Sequence, residues 1–309
     1  CQNIAMGRNA MEDNSTGDLN VALGYNALKT NTTADNNTAV GSNALTANTT
    51  GAGNVAVGAT TGDAITTGSN NVALGFEAAG KLTTGGDNVA VGRSSLLDTT
   101  TQSGNVAIGV EALENNTVDE NVAVGKSALR ANTTASGHTA VGTSAALNTT
   151  GAQNTAFGHR SLCTNTSGQC NTALGKSALC SNTSANYNTA VGLASMIKNT
   201  EGHSNVAVGC GSLVANTTGF RNVAVGLGSL ASNTEGEYNV GVGKDAGEAT
   251  TTGDYNTFLG SFAGFKNTTA SNNTAVGGLA LLDNTTGADN TAVGASALEN
   301  NTTANGNSA

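Results

Sequence analysis

Residues 37–53 read NTAVGSNALTANTTGAG, and residues 54–70, which follow directly, read NVAVGATTGDAITTGSN. The first fits a pattern of 17 residues, N-(V/T)-A-(V/L)-G-x-x-A-L-x-x-N-T-T-G-x-x, whose places are called positions 1 to 17 of the repeat, and the second departs from it only at positions 8, 9 and 12. Eighteen repeats follow one another without a gap, two of them (105 and 138) with 16 residues, and they begin at residues 3, 20, 37, 54, 71, 88, 105, 121, 138, 154, 171, 188, 205, 222, 239, 256, 273 and 290. Such periodicity predicts a single repeat array over residues 1–309, with no second domain.

The composition narrows the class of protein. The chain of 309 residues contains 42 Gly, no Pro and no Trp, and only 11% of its residues are charged. Disordered chains are usually rich in Pro, Lys and Glu, so an ordered repeat structure is favoured. The net charge of -9, without a basic stripe, argues against nucleic acid as a partner. No stretch approaches the ~20 apolar residues of a membrane span.

The repeat pattern predicts one coil of an all-β, parallel β-solenoid. Positions 1 to 5 alternate as a strand does, and the invariant Gly at position 5 frees the backbone to turn at positive φ. We expect Ala-Leu at positions 8 and 9 to form a second short strand, and Asn-Thr-Thr-Gly to close the coil as a polar turn. About eighteen coils, stacked ~4.8 Å apart, would place the Asn of position 1 in a hydrogen-bonded ladder.

The alternation also predicts which side chains face inward. We expect Val or Leu at position 4 and Leu at position 9 to fill the coil, with position 2 at its margin. Ala at position 3 and Gly at position 5 would then form an outward stripe of small residues. Such a flat stripe favours self-association of the chain, and the alternative is a wall of small residues that contacts nothing.

The motif N-V-A-V-G-x-x-A-L resembles the head repeats of YadA-like trimeric autotransporter adhesins. The longer unit is also similar to N-T-A-x-G-x-x-A-L-x-x-N-T-T-G arrays in bacterial and viral tail-fibre-like proteins. The usual adhesin repeat is shorter, and the insertion here is the Asn-Thr-Thr-Gly turn. The resemblance covers the whole chain and implies a left-handed β-roll in a surface-exposed fibre of three identical chains.

The Asn-Thr-Thr turns contain many formal acceptor sites for N-glycosylation, which we expect to lie in exposed loops. Eleven repeats place N-x-(S/T) there, at Asn14, Asn31, Asn48, Asn132, Asn148, Asn165, Asn182, Asn216, Asn267, Asn284 and Asn301. Asn115 fits the same pattern in a shortened repeat. The alternative is plain turn chemistry, and it is favoured by Asn199 and Asn233, which keep the turn without the acceptor pattern.

The cysteines predict one disulfide and no zinc site. Cys163 and Cys180 occupy position 10 of consecutive repeats, where stacking brings Cα atoms within disulfide range. The spacing of Cys163, Cys170 and Cys180 does not match a zinc pattern. Cys1 is either the lipidated first residue of a lipoprotein or the point where a longer sequence was cut. The chain starts and stops inside a repeat without a cap, so we expect a segment of a longer chain or end-to-end docking into a filament.

Columns of like residues do not supply the few unlike groups that catalysis brings together, so we expect neither an enzyme nor a bound cofactor or metal. The sequence predicts a structural and adhesive filament at a cell or virion surface, outside the cell, whose variable positions (6, 7, 10, 11, 16 and 17) set its surface identity. Its partners would be copies of itself and surface glycans or a host receptor. The alternative is a repeat-array module that binds carbohydrate or, less well supported, ice. Against carbohydrate, the four Tyr and six Phe look scattered rather than columnar.

Overall fold

The start of each repeat forms a three-residue β-strand from position 2 to position 4 in the computed structural model, which describes residues 2–309. No helix occurs within those residues. The first nine strands are β1 (Ile4–Met6), β2 (Val21–Leu23), β3 (Thr38–Val40), β4 (Val55–Val57), β5 (Val72–Leu74), β6 (Val89–Val91), β7 (Val106–Ile108), β8 (Val122–Val124) and β9 (Thr139–Val141). The next nine are β10 (Thr155–Phe157), β11 (Thr172–Leu174), β12 (Thr189–Val191), β13 (Val206–Val208), β14 (Val223–Val225), β15 (Val240–Val242), β16 (Thr257–Leu259), β17 (Thr274–Val276) and β18 (Thr291–Val293).

The repeat array divides into two compact units, Cys1–Gln153 with β1 to β9 and Asn154–Ala309 with β10 to β18. Within each unit, every strand pairs in parallel with the next strand along the chain. The paired residues occupy the same repeat position, as Val21 and Thr38 do. Each unit is therefore a parallel β-solenoid of nine coils, which confirms the predicted all-β fold class.

The glycine at position 5 forms the corner that follows each strand. Its φ angle lies between 128° and 141° in all eighteen repeats, a region that side chains with a Cβ atom rarely adopt. A Cβ atom on Gly24 would also lie 2.3 Å from the carbonyl oxygen of Gly41 in the next coil. Backbone angle and stacking distance both require glycine, which confirms the predicted turn at positive φ.

Positions 8 and 9 form a turn, so the prediction of a second strand is wrong. Leu28 and Leu45 at position 9 have φ angles of 50°, in the left-handed region that strands do not use. Stacking is nevertheless maintained, because the Leu28 N–H donates to the carbonyl oxygen of Ala44 in the next coil at 3.0 Å. The turn directs both leucines into the coil, where they are fully buried as predicted.

The strands turn position 3 toward the core and position 4 outward, which is the opposite of the prediction. Ala22 and Ala39 at position 3 are fully buried, whereas Leu23 and Val40 at position 4 are only half-buried. The predicted outward stripe of Ala and Gly is therefore wrong. Side chains alternate along a strand, and Asn at position 1 turns inward to form hydrogen bonds, so positions 3 and 5 share its side.

The position 1 asparagines form the predicted ladder, inside the coil. Asn37 is fully buried, and its backbone N–H donates to Oδ1 of Asn20 in the preceding coil at 2.9 Å. Its Nδ2 donates to the carbonyl oxygen of Gly51, at position 15 of the same coil, at 2.9 Å. Asn37 thus joins its strand to the preceding coil through its backbone N–H and to its own closing turn through its side chain.

In two repeats of the first unit, the large apolar side chain lies at position 12 instead of position 9. Where Gly62 replaces Leu at position 9, Ile65 replaces Asn at position 12, and a Cβ atom on Gly62 would lie 3.0 Å from Ile65 Cδ1. The next repeat pairs Ala79 with Leu82 in the same way. Ile65 and Leu82 are fully buried. These repeats lack the Asn of Asn-Thr-Thr but keep the turn, because position 12 supplies the apolar volume that position 9 lacks.

In the second unit, one aromatic ring takes the space of two leucines. Phe258 replaces Ala at position 3 and is fully buried. Its ring occupies the space of the position 9 side chain in its own coil and in the preceding one. A Cβ atom on Gly264 would lie 2.2 Å from Cε1 of the ring, and one on Gly247 would lie 2.4 Å from Cδ2.

The burial of position 3 can be tested by enlarging one side chain on each face of the same strand. We expect Ala224→Leu to lower the thermal unfolding midpoint, because overpacking a filled core costs ~1–3 kcal/mol. The matched variant Val225→Leu adds one methylene on the outer face and should leave the midpoint nearly unchanged. Circular dichroism during heating measures both, and the reverse order of effects would restore the opposite facing.

Candidate functional site

The outer side of the strands is an uncharged surface that recurs in every coil and is apolar except for Thr at position 2 of eight repeats. It is called the outer β face below. It consists of the side chains at position 2 (Val, Thr or Ile) and position 4 (Val, Leu, Ile, Phe or Met). Neither position holds a charged residue in any repeat. The large side chains of this face that are exposed are Ile4, Met6, Val57, Ile108, Phe157, Leu174, Val242, Leu259 and Val293.

Charged residues lie away from the outer β face. Counted from the start of each repeat, every charged side chain apart from Asp119, Glu201 and Glu235 occupies one of the variable positions 6, 7, 10, 11, 16 and 17. These are the positions that we expected to give the chain its surface identity. Some of these charged side chains form ion pairs between coils of the first unit. Arg93 contacts Glu111 at 2.9 Å, for example. Exposed pairs of this kind contribute little to stability, but they distinguish one coil's surface from the next.

The turn asparagines at position 12 are buried, so the prediction that they lie exposed is wrong for most of them. Asn182 Nδ2 donates to Oδ1 of Asn165 in the preceding coil at 2.7 Å and to the Ala185 carbonyl oxygen at 3.1 Å. Eight of the predicted acceptor asparagines are fully buried, namely Asn31, Asn48, Asn132, Asn165, Asn182, Asn216, Asn267 and Asn284. A sugar on Nδ2 would displace these hydrogen bonds, so the folded coil disfavours glycosylation there. Asn14 and Asn301 are half-buried.

Asn148 is the exception, because its repeat is one residue shorter. Thr149, not Asn148, takes the buried place of position 12 in this coil, and its N–H donates to the carbonyl oxygen of Ala146. Asn148 thus moves to position 11 and is exposed. In the other short repeat, Asn116 is buried at position 12 and Asn115 is half-buried. The shift of register was readable from the shortened repeat lengths.

If the chain is secreted by a glycosylating eukaryotic cell, we expect sugar at Asn148 and none at the eight buried asparagines. Intact mass of the folded, secreted protein measures this. Asn148→Gln should remove the mass of one glycan, while Asn216→Gln, at a buried acceptor site, should leave the sugar content unchanged. Sugar on peptides that carry a buried position 12 asparagine would contradict the burial argument.

The structure brings Cys163 and Cys180 together, as predicted, but as free thiols rather than as a disulfide. Both are buried, and the Cys180 thiol donates a hydrogen bond to the Cys163 sulfur. That bond and the Arg160 guanidinium lower the pKa of Cys163 to about 6, while the same contact raises the pKa of Cys180. Cys170 is half-buried and Cys210 is exposed, and Cys1 lies outside the described residues.

The lowered pKa of Cys163 predicts an unusual pH profile. Since the thiolate is the reactive form, alkylation of Cys163 by iodoacetamide should increase through a midpoint near pH 6. Cys180→Ala removes the largest cause and should move the midpoint upward, and Arg160→Gln should move it upward as well. Peptide mass spectrometry after timed alkylation measures the profile, with Cys210→Ser as the matched control. An unchanged midpoint in Cys180→Ala would refute the thiol contact.

Aromatic side chains of the second unit form a column, contrary to the expectation that they are scattered. His203 and Phe220 at position 16, then Tyr238 and Tyr255 at position 17, come from four successive repeats. Ring centroids lie 4.8 Å apart for the first pair, 5.7 Å for the middle pair and 4.9 Å for the last. One face of each ring is stacked on a neighbouring ring, and the Arg221 guanidinium lies over the rings of Phe220 and Tyr238, so the column offers less open ring face for a sugar than four separate rings would. Aligning positions 16 and 17 of these repeats would have revealed it.

No metal site was found among residues 2–309, because no three or more His, Cys, Asp and Glu side chains cluster suitably there. His138 is buried at position 1, in place of Asn, and is part of the ladder through its backbone N–H, which donates to Oδ1 of Asn121. Within the described residues there is also no helix with the length and hydrophobicity that crossing a membrane demands.

The sequence matches no protein-family model and no curated protein. Strand order, register and period define the class to which the chain belongs, the tandem-repeat β-solenoid proteins.

Proposed function

We propose that the chain is a structural and adhesive fibre protein of a cell or virion surface, and that it associates with copies of itself. The observation that carries the proposal is the outer β face. Its exposed side chains are apolar or Thr, it bears no charge, and it recurs at every coil of both nine-coil units. Regular apolar surfaces of this kind mark interaction sites in soluble proteins.

A second copy of the chain is the partner that fits this face. Neighbouring strands lie ~4.8 Å apart, so side chains of the outer β face repeat at that spacing. A partner that packs against many coils needs the same spacing, and another copy supplies it together with the same Val and Thr side chains. Three copies per fibre is the number that the resemblance to trimeric adhesins implies.

Adhesion is assigned to the variable positions, which carry nearly all of the charged side chains. Their side chains lie on the corners and turns, away from the outer β face. Packing between copies would therefore leave them free to contact a receptor or surface glycans. In this arrangement the constant positions build and assemble the fibre, and the variable ones decide what it contacts. Presentation to other cells or hosts places such a fibre outside the cell.

The test is the native mass with and without charge on the outer β face. One chain is 30.2 kDa, so a trimer would be three times that mass. We expect Val208→Asp with Val225→Asp to reduce the assembly to single chains, because desolvating paired carboxylates opposes packing. Light scattering after size separation measures the mass.

The matched control places the same two charges on exposed turn positions, as Thr218→Asp with Thr252→Asp. This variant should keep the wild-type mass. If the wild-type protein is already a single chain, self-association is excluded. If both variants dissociate equally, net charge and not the outer β face controls assembly.

A further inference from the structure

Tyr238 and Tyr255 present their phenol rings to each other in adjacent coils of the second unit. The ring centroids are 4.9 Å apart and the ring planes differ by only 6°. Both residues occupy position 17 with a φ angle of 56°, so their side chains leave identical backbones at the coil spacing. Tyr255 is 58% exposed, which leaves its ring accessible from solvent.

Neighbouring side chains hold the Tyr238 ring in place. The Phe220 ring makes a T-shaped contact with it, with centroids 5.7 Å apart and ring planes at 70°. The Arg221 guanidinium lies 5.2 Å from the ring centroid and donates a hydrogen bond to the phenol oxygen. Since that oxygen accepts from Arg221, its own O–H hydrogen is not used in this contact. The ring is fixed while its phenol proton remains available.

We infer that this pair is a site of oxidative cross-linking, which joins two successive coils through a dityrosine bond. Each phenol gives up one electron and one proton to a peroxidase acting with hydrogen peroxide, and two phenoxyl radicals result. The radicals couple at ring carbons next to the hydroxyl groups, and a proton shift restores both aromatic rings. One hydrogen peroxide is reduced to two waters, and the chain loses two hydrogen atoms.

The other two tyrosines provide a built-in comparison. The chain has four tyrosines in all. Tyr25 and Tyr187 are 47% and 66% exposed and have no ring partner among residues 2–309. Radicals formed on them have no second phenol in the adjacent coil and can couple only between molecules. The stacked pair alone is placed to react within one chain, which closes a covalent link across the coil interface.

The experiment uses two double variants of the full chain at high dilution, with peroxidase and hydrogen peroxide. Tyr25→Phe with Tyr187→Phe retains only the stacked pair, and Tyr238→Phe with Tyr255→Phe retains only the isolated tyrosines. We expect dityrosine fluorescence at single-chain mass from the first variant, and none at that mass from the second. Trypsin should release peptides 222–244 and 245–266 as one linked species that lacks two hydrogens.

The same oxidation in strong urea separates stacking from mere closeness in sequence. If the unfolded first variant forms the link as well as the folded one does, the folded geometry has no role and the inference fails. Dityrosine that appears only at twice the chain mass would overturn it too. A linked chain should unfold at a higher temperature than the unlinked one. The result does not depend on self-association, because the second variant reports coupling between chains separately.

Discussion

The rest of the structure depends on the hydrogen bonds that buried asparagine side chains form. In the coil that begins at Asn37, the carbonyl oxygen of Gly51 accepts from Nδ2 of Asn37 at 2.9 Å and from Nδ2 of Asn48 at 3.0 Å. A strand and a turn are thereby joined at one atom. Oδ1 of Asn37 also links this coil to the next one by accepting from the backbone N–H of Asn54. Nδ2 of Asn48 links it to the preceding one by donating to Oδ1 of Asn31. Each hydrogen bond contributes only ~0.5–1.5 kcal/mol net, but the pattern recurs along each unit.

The ladder at position 12 tolerates interruption where apolar burial compensates. Where Ile65 replaces the next asparagine, Oδ1 of Asn48 has no hydrogen-bond partner. An unsatisfied buried acceptor costs ~1–3 kcal/mol, and burying an isoleucine side chain returns ~1.5–3 kcal/mol. The two effects are similar in size, so one such break is affordable. At position 1 no repeat replaces Asn with an apolar residue, because that column also sets which side of the strand faces inward.

The period and the invariant glycine were sufficient to predict the solenoid and its corner, since both depend on backbone geometry alone. Hydrophobicity could not predict which side of each strand faces the core, because the chain buries Asn20 and Ala22 and leaves Val21 and Leu23 partly exposed. A better signal was present in the repeats themselves. Positions 1, 3 and 5 hardly vary, whereas positions 2 and 4 exchange Val, Thr and Leu, as an outer surface does. The aromatic column and the thiol pair needed the register of individual coils, which the consensus averages away.

The packing around Phe258 also limits how such an array can grow. Most coils carry Ala at position 3 and Leu at position 9, so a copied consensus coil would fit beside another consensus coil. The coil with Phe258 fits only after a coil that has glycine at position 9, as Gly247 is here, because the Phe258 ring enters the space of that side chain. Gene duplication of this region can therefore succeed only in blocks that carry both coils. Duplication can therefore lengthen the array by one coil along most of the chain, but only by two or more coils in the region of Phe258.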